Sequence, residues 1–391
     1  MERLVVPQGD FALVRHPVRS KETLRAWDAA DEYLLRSVAD PSTGADRAET
    51  VVVVNDGSGA LSVALADRRP WLLSDSYLAH LATHDNLVGN GIDPAAVTLL
   101  GSFDPPPERI DLLLIKVPKS LALLDDQLRR LRPHLHARTV VIGSAMVKHL
   151  HSSSLECFER RIGPTTTSRA EKKARLVLST LDPALDGVEP GDGSSSYVVE
   201  PGGRVVTSHA GVFAADQLDI GTRFLLENLP DRSRDCAGSD QVVDLGCGNG
   251  VVGMMTAVAD PDADLTFIDE SYRAVASAEM TFRANLGPDR PARFVVGNGL
   301  VELSDGEPLA RGGVDRVVNN PPFHIDRAIG DEVAWQMFRE SKDVLRPGGE
   351  LWVIGNRHLA YHAKLKRIFG NAEVVASNAK FVVLRSVNRA R

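Results

Sequence analysis

The chain has 391 residues, 43% of them hydrophobic and 25% charged, and a formal net charge of −7. This length is enough for two or three globular domains. The negative charge argues against a basic surface that wraps nucleic acid all round. No apolar run approaches the ~20 residues of a membrane span, and the N-terminus does not have the pattern of a signal peptide.

The three cysteines are scattered along the chain, at Cys157, Cys236 and Cys247. Their spacing matches neither a disulfide framework nor a Cys/His metal site. We therefore expect free thiols in a reducing compartment and no bound metal.

The first half of the chain alternates apolar strands with helical stretches. Four segments define it: TVVVVNDGSGALSVAL (50–65), RRPWLLSDSYLAH (68–80), RIDLLLIKVPKS (109–120) and LRPHLHARTVVIGS (131–144). Alternation of this kind predicts a mostly parallel sheet covered by helices on both faces.

A segment rich in Pro, Gly, Ser and Asp follows at residues 181–203. It has no hydrophobic periodicity, which predicts a loop or linker. We accordingly divide the chain into a domain at 1–190 and a second domain at 200–391.

The second half repeats the landmarks of the first in the same order. Its segments are QVVDLGCGNGVVG (241–253), DLTFIDESY (264–272), RFVVGNGL (293–300), VDRVVNNPPFH (314–324) and LRPGGELWVIGNR (345–357). Shared landmarks in one order indicate an internal repeat. The sequence therefore predicts an α/β fold with two tandem Rossmann-like domains.

The first copy has lost the groups that carry chemistry in the second. Its glycine turn looks shorter and has no third glycine, and Ser74 stands where the second copy has Asp269. Lys116 and Val117 replace Asn320 and Pro321. We expect this degenerate domain to be a scaffold or an RNA-binding domain and not a second active site.

The turn from Asp244 to Gly250 predicts a site for a small cofactor. Gly246, Gly248 and Gly250 remove side chains where a ligand approaches the backbone closely. Such a turn can also hold a dinucleotide pyrophosphate. The Asp244 carboxylate would repel a pyrophosphate but suits the ammonium of a methionine moiety, directly or through water, so the pattern favours S-adenosyl-L-methionine.

Two further residues fit the same cofactor. Asp269 ends the next strand, where a carboxylate accepts hydrogen bonds from two ribose hydroxyls; Glu270 is the alternative. Asn298 follows a later strand, and its amide can pair with the edge of the adenine. The alternative for Asn298 is an ordinary turn residue beside Gly299.

The tetrapeptide Asn320-Pro321-Pro322-Phe323 follows strand VDRVV, at the sheet edge where active sites of open α/β sheets lie. The Asn320 oxygen and the Pro321 carbonyl can each accept one N–H of a planar amino group and stabilise positive charge developing on it. The prolines stiffen the loop, and Phe323 offers a face for a base to stack on. His324 is either an assisting group or a plain loop residue. The pattern predicts methylation of an exocyclic amino group of a nucleobase.

With these motifs the chain resembles the bacterial ribosomal RNA guanine-N2 methyltransferases, which pair a degenerate first copy with an active second one. The segments KVPKSLALLDDQLRRL, GVFAADQLDIGTRFLLENLP, DLGCGNGVVG and NNPPFH carry the resemblance, which covers almost the whole chain and is greatest to the large-subunit type. It implies class I methyltransferase domains, N2 of a 23S rRNA guanine as acceptor, and a cytoplasmic location. It also implies that Gly221 and Thr222 help to bind the cofactor.

Other functions stay open at this point. They are the same chemistry on 16S rRNA, N6-adenine or other amino methylation, and a non-catalytic RNA-binding assembly protein. Two basic clusters are either solvated helix faces or phosphate contacts: Arg160, Arg161, Arg169, Lys172, Lys173 and Arg175, and then Arg357, Lys364, Lys366 and Arg367. The sequence predicts neither the modified nucleotide nor the oligomeric state.

Overall fold

The computed structural model describes residues 3–17, 22, 24–185, 193–230, 240–322 and 327–389. The chain forms two compact units, Met1–Gly193 and Ser194–Arg391. The predicted linker is only partly a loop, because residues Ser194–Val199 form a strand of the second unit. Half-buried and exposed side chains alternate along most of this strand, which belongs to a small hairpin. The surrounding Gly and Pro residues obscured this pattern in the sequence.

The first unit consists of a hairpin and a seven-stranded sheet with helices. The hairpin pairs β1 (Arg3–Val6) with β2 (Gly9–Ala12). The sheet strands are β3 (Val51–Val54), β4 (Trp71–Leu73), β5 (Thr98–Leu100), β6 (Ile110–Lys116), β7 (Leu135–Met146), β8 (Thr165–Thr167) and β9 (Ala174–Ser179), in the order β5-β4-β3-β6-β7-β9-β8. The helices are α1 (Ala29–Ala39), α2 (Ala60–Ala64), α3 (Tyr77–Gly89), α4 (Leu121–Leu131) and α5 (Ser152–Arg161).

The second unit repeats this arrangement. Its hairpin pairs β10 (Ser194–Val199) with β11 (Arg204–His209). The sheet strands are β12 (Gln241–Leu245), β13 (Asp264–Asp269), β14 (Ala292–Asn298), β15 (Glu302–Leu303), β16 (Val314–Asn319), β17 (Leu345–Asn356), β18 (Glu373–Ser377) and β19 (Phe381–Val387), in the order β15-β14-β13-β12-β16-β17-β19-β18. The helices are α6 (Ile220–Leu226), α7 (Val251–Ala259), α8 (Tyr272–Leu286), α9 (Arg327–Val344) and α10 (Tyr361–Phe369).

Apart from the short strand β15, the two sheets have the same strand order and directions. Five strands of each are parallel, and the last two pair antiparallel at one edge. Both faces of each sheet are covered, as the valines of β3 illustrate. Val51 and Val53 belong to one buried core cluster, and Val52 and Val54 belong to another. This is the doubly wound α/β architecture that the strand–helix alternation predicted.

The strand registers bring the sequence landmarks to equivalent places. Leu245 on β12 pairs with Ile268 on β13 and with Asn319 on β16. In the first unit, Val54 pairs with Leu73 and Ile115. Asp269 and Asn320 of the second unit therefore stand where Ser74 and Lys116 stand in the first, at the carboxyl edge of the sheet.

Each unit holds its hairpin with an asparagine that the sequence analysis missed. Asn90 accepts from the Ala12 N–H at 2.9 Å and donates to the Ala12 carbonyl at 2.8 Å. Asn285 makes the same pair of bonds to Val205, at 3.0 and 2.6 Å. In each case one side chain satisfies both backbone groups of a hairpin residue. Because both units contain this pair of bonds, the repeat extends beyond the sheet to the hairpins.

Candidate active site

The glycine turn after β12 has a backbone that side chains disfavour. Gly246, Gly248 and Gly250 have φ angles of 70°, 53° and 75°. A Cβ at Gly250 would lie 2.6 Å from the Ala278 Cα, so this glycine lets α7 pack against α8. A Cβ at Gly248 would meet nothing within 4 Å. The turn therefore has open space in front of Gly248, where a ligand can approach the backbone.

Asp244 is the penultimate residue of β12, directly before this turn. Its side chain is buried, with the residue 2% exposed, and Oδ2 accepts the Gly253 N–H at 2.8 Å in the first turns of α7. Burial, together with a smaller contribution from the nearby Asp269 carboxylate, raises the pKa of Asp244 to about 8. One carboxyl oxygen thus accepts from α7, and the predicted contact of Asp244 with the cofactor's ammonium stays a prediction.

Asp269 lies at the carboxyl end of β13, half-buried beside the turn. Its Oδ2 accepts the Gly248 N–H at 3.0 Å, and its Oδ1 accepts the Ser271 N–H at 3.0 Å. These bonds fix the carboxylate next to the open space at Gly248. Ser271 also caps α8 by accepting from Ala274, so the end of β13 is rigidly attached to the helix that follows.

Asn320 follows β16 on the other side of the turn. Its Nδ2 donates to Thr222 Oγ1 at 3.0 Å, while its Oδ1 is buried and finds no hydrogen-bond partner among the described residues. Pro321 is buried and Pro322 is half-buried. Phe323 and His324 lie outside the described residues, so their predicted contacts stay predictions.

Helix α6 brings Gly221 and Thr222 to Asn320. Asp219 caps this helix by accepting the Thr222 N–H at 2.9 Å. A Cβ at Gly221 would lie 2.9 Å from the cap oxygen and 3.2 Å from the Phe381 ring, so glycine allows α6 to lie close to β19. The resemblance implied cofactor contacts for Gly221 and Thr222, whereas the contact that the structure shows joins Thr222 to Asn320.

The amide of Asn298 is engaged with neighbouring side chains. Asp269 pairs with Val296 in the sheet register, so Asn298 lies two residues further along β14 at the same edge. Its Nδ2 donates to Glu302 at 3.1 Å, and its Oδ1 accepts from Gln336 at 3.4 Å. An adenine edge would have to share or displace these partners.

Two residues of the site were missed by the sequence analysis. Asn249, inside the glycine turn, donates to Ser208 Oγ and to the Ala214 carbonyl, both at 3.2 Å, and so ties the turn to the hairpin and to the segment before α6. Asp219 was also missed, although an aspartate directly before a helical segment is a recognisable N-cap signal.

The equivalent place in the first unit is filled by an internal ion pair. Lys116 lies 2.7 Å from Asp31 and 3.0 Å from Asp28, both belonging to α1 or its cap. Asn55, with a φ of 63°, occupies the position of Gly246, so this turn is as long as the other one and not shorter as expected. Burial raises the pKa of Asp31 to about 6.

Among the described residues, no group of three or more His, Cys, Asp or Glu side chains is placed to hold a metal ion. Within the same residues, no helix is long and apolar enough to cross a membrane. Cys157 and Cys247 are buried free thiols, and Cys236 lies outside the described residues.

Comparison with known proteins gives matches along almost the whole chain. Residues 1–183 match the RLMG N-terminal domain, and residues 203–385 match the methyltransferase small domain. The ribosomal RNA large subunit methyltransferase G of Streptomyces avermitilis is 55% identical, covering 99% of both chains. Its namesake in Aeromonas salmonicida is 46% identical, covering 97% of both.

A solved structure confirms the fold. A 16S rRNA N2 methyltransferase from T. thermophilus, in complex with AdoMet and guanosine, superposes with a TM-score of 0.75 and covers 99% of this chain and 98% of its own. At 21% identity, that likeness establishes the two-domain methyltransferase fold. The family matches confirm the resemblance predicted from the sequence: the chain belongs to the ribosomal RNA large subunit methyltransferase G family.

Proposed function

We propose that this chain transfers the methyl group of S-adenosyl-L-methionine to the exocyclic N2 of one guanine in 23S rRNA. The observation that carries the proposal is the Asn320 amide. Its amino group is occupied by Thr222, and its buried oxygen has no partner among the described residues. Buried polar atoms are rarely left unsatisfied, so such an oxygen is suited to a donor that arrives with the substrate.

The glycine turn and Asp269 fit the cofactor. The open space at Gly248 admits a ligand close to the backbone, and the Asp269 carboxylate beside it can accept from two ribose hydroxyls. Asn298 and Gly221 of α6 are further candidates for contacts with it. When bound, the cofactor supplies an electrophilic methyl group on a sulfonium.

The residues after β16 serve the acceptor. The lone pair of a guanine amino nitrogen is delocalised into the ring, so the nitrogen must be held in line with the methyl group for attack. The Asn320 oxygen and the Pro321 carbonyl each accept one N–H and stabilise the positive charge that develops. The nitrogen lone pair forms the new C–N bond, the C–S bond breaks to leave a thioether, and an amino proton passes to water. Phe323 is expected to stack on the base.

Asp244 contributes mainly through its contact with α7. Its bond to Gly253 orients the N-terminus of α7, and its burial favours the neutral acid until a cation approaches. We propose that Asp244 shapes the turn, and that any favourable contact with the cofactor's ammonium requires it to lose its proton.

The two units divide the work. Catalysis is assigned to Ser194–Arg391, which contains the described groups for both cofactor and acceptor. The first unit is assigned to support and RNA binding, because the Lys116 ion pair occupies the place where the second unit keeps Asn320. Since ribosomal RNA is the proposed substrate, we assign the enzyme to the bacterial cytoplasm.

The direct test is methyl transfer to unmodified transcripts. Purified protein is incubated with S-adenosyl-L-methionine and either 23S or 16S rRNA, and the nucleosides are analysed by mass spectrometry. We expect N2-methylguanosine in the 23S transcript at one position. Methyladenosine, or modification of the 16S transcript alone, would contradict the proposal.

A further inference from the structure

An asparagine side chain can turn either its oxygen or its amino group towards a substrate, and the two have nearly the same shape. Only the oxygen can accept the N–H of a guanine amino group. The amino group would oppose the substrate with a second donor and leave the developing positive charge without an acceptor. The Asn320 amide therefore needs a partner that fixes its orientation.

Asp219 and Thr222 form a chain of hydrogen bonds that supplies this orientation. The Thr222 hydroxyl donates to Asp219 Oδ2 at 3.4 Å and accepts from Asn320 Nδ2 at 3.0 Å. A carboxylate can only accept, so the hydroxyl proton points to Asp219 and the hydroxyl oxygen presents a lone pair to Asn320. Asn320 can meet that lone pair only with its amino group, which leaves its oxygen for the substrate.

The chain of bonds is anchored at both ends. Asp219 also accepts the Thr222 backbone N–H at 2.9 Å as the cap of α6, so carboxylate and hydroxyl are held within one helical turn. At the other end, Asn320 directly follows β16, and its neighbour Asn319 donates to the Leu245 carbonyl.

We propose that Asp219 and Thr222 are positioning residues that fix the orientation of the Asn320 amide. This assignment rests on the proposed amino methylation. It differs from the cofactor-binding role that the family resemblance implied for Thr222, because it acts on the acceptor side of the reaction.

Three variants test the positioning role in single-turnover methyl transfer to 23S rRNA with saturating enzyme and cofactor. Thr222→Val keeps the shape and removes the hydroxyl, and we expect the rate to fall about tenfold, the effect of one hydrogen bond. Thr222→Ser keeps the hydroxyl and should restore most of the rate. Asp219→Asn keeps an oxygen that can cap α6, but its amino group can donate to the Thr222 hydroxyl. This reverses the direction of the hydrogen bond between residues 219 and 222, so the variant should also slow the reaction.

Cofactor affinity separates the two roles of Thr222. If the hydroxyl positions Asn320, calorimetry should find S-adenosyl-L-methionine bound as tightly by Thr222→Val as by the wild type. An unchanged single-turnover rate for Thr222→Val would overturn the proposal, whether or not cofactor binding becomes weaker. If Thr222→Val fails to fold, Asp219→Asn decides, and a wild-type rate for that variant would overturn it. Failure of the wild type to methylate rRNA would instead reject the proposed function.

A second, independent observation concerns basic side chains of the first unit. Lys119 follows β6, Lys148 and His149 belong to the short turn Val147–His149 after β7, and His151 precedes α5. Lys119, Lys148 and His151 are exposed, and none of the four forms an ion pair with a described carboxylate closer than 4.0 Å. Partial burial and the neighbouring Lys148 and Lys119 lower the pKa of His149, and this outweighs the opposite effect of the nearby Asp28 carboxylate. We call these four residues the edge patch.

In the first basic cluster singled out from the sequence, three of the six residues form ion pairs within the unit. Arg160 and Arg161 both bind Asp125, at 2.7 and 2.5 Å, and Lys172 binds Glu32 at 2.8 Å. A cation that already has a carboxylate partner gains less from a phosphate than an unpaired one. The edge patch lies at the carboxyl edge of the sheet, the edge that carries Asn320 in the second unit.

We infer that the edge patch binds phosphates of the rRNA substrate. Crowded like charges destabilise the free protein slightly, and a polyanion removes that repulsion while it releases counterions. The inference rests on the proposed function only in its choice of RNA.

The test compares two double variants that remove the same charge. Lys119→Ala/Lys148→Ala should weaken binding of a 23S rRNA transcript severalfold at physiological salt and lower the slope of log Kd against log salt concentration by about one to two. Arg160→Ala/Lys172→Ala, the matched control, should change both much less. A wild-type slope for the edge-patch variant, or an equal effect of the control, would overturn the inference. Methylation of the RNA by the wild-type protein would support the proposed function whichever result the two double variants give.

Discussion

The two units build the same turn after the first strand of their sheets but surround it with different chemical groups. Asn55 and Gly59 have positive φ angles of 63° and 74°, matching the 70° and 75° of Gly246 and Gly250. In the first unit, the strand ends beside this turn carry Ser74 and the ion-paired Lys116. The first unit therefore keeps the backbone shape of the turn without the groups that a cofactor and an acceptor base need.

A glycine turn by itself is therefore weak evidence of a cofactor site. What distinguishes the second unit is the carboxylate of Asp269 and the amide of Asn320, at the ends of the two strands that flank β12. Substitutions at equivalent positions of the two units therefore test whether this difference determines function.

The largest expected effect is on the rate of methyl transfer. Asn320→Ala removes the acceptor that strengthens as the guanine nitrogen becomes positive, so its loss falls on the transition state. By analogy with an oxyanion-hole donor, we expect the single-turnover rate to fall by ~10²–10³, with near-normal cofactor affinity. Lys116→Met, at the equivalent place, should leave the rate near wild type below its unfolding temperature. A near-normal rate for Asn320→Ala would mean that the loop is not the catalytic clamp.

The next effect is on stability and falls on the first unit. Lys116→Met removes the cation that faces Asp31 and Asp28 and leaves the buried Asp31 carboxyl beside the half-exposed Asp28 without a compensating charge. We expect a loss of about 3 kcal/mol in the free energy of unfolding, limited because Asp31 can take up a proton. Calorimetry of thermal unfolding measures this loss. Asn320→Ala should change stability much less, and equal losses would show that the two places are not organised differently.

The third effect is on the pH dependence of stability in the absence of cofactor. The folded pKa of Asp244, about 8, lies above its ordinary value of 3.8, so its contribution is full below about pH 4 and is lost as pH rises towards 8. Asp244→Asn makes this place uncharged, like Val53 in the first unit. The variant should gain on the wild type by up to about 1 kcal/mol per pH unit between pH 5 and 8. Parallel stability curves for the two proteins would contradict the raised pKa.

The sequence predicted much of the fold because each landmark is local. A glycine turn between an apolar strand and a helix fixes one βα unit, and the register of parallel strands then aligns Asp269 and Asn320 at one edge. The same residue types, compared between the halves, indicated which copy is degenerate. These inferences needed no knowledge of distant contacts.

The remaining features depend on contacts between distant parts of the chain. Asn285 and Val205 are 80 residues apart, and Asn320 and Thr222 are 98 apart. No local sequence pattern can therefore predict either hydrogen bond. The direction of the Asp244 side chain follows from the position of α7, which the residue types do not specify. The hairpin strand Ser194–Val199 was hidden by flanking residues that favour loops.

The most direct test of the account is a calorimetric titration of the intact chain with S-adenosyl-L-methionine. We expect one binding site per chain. Asp269→Ala should weaken binding at least tenfold, because two ribose hydroxyls lose a charged acceptor worth ~1.5–3 kcal/mol each at most. Ser74→Ala, at the equivalent place, should bind as the wild type does. Two sites per chain, or equal effects of the two substitutions, would contradict the claim that only the second unit holds the cofactor.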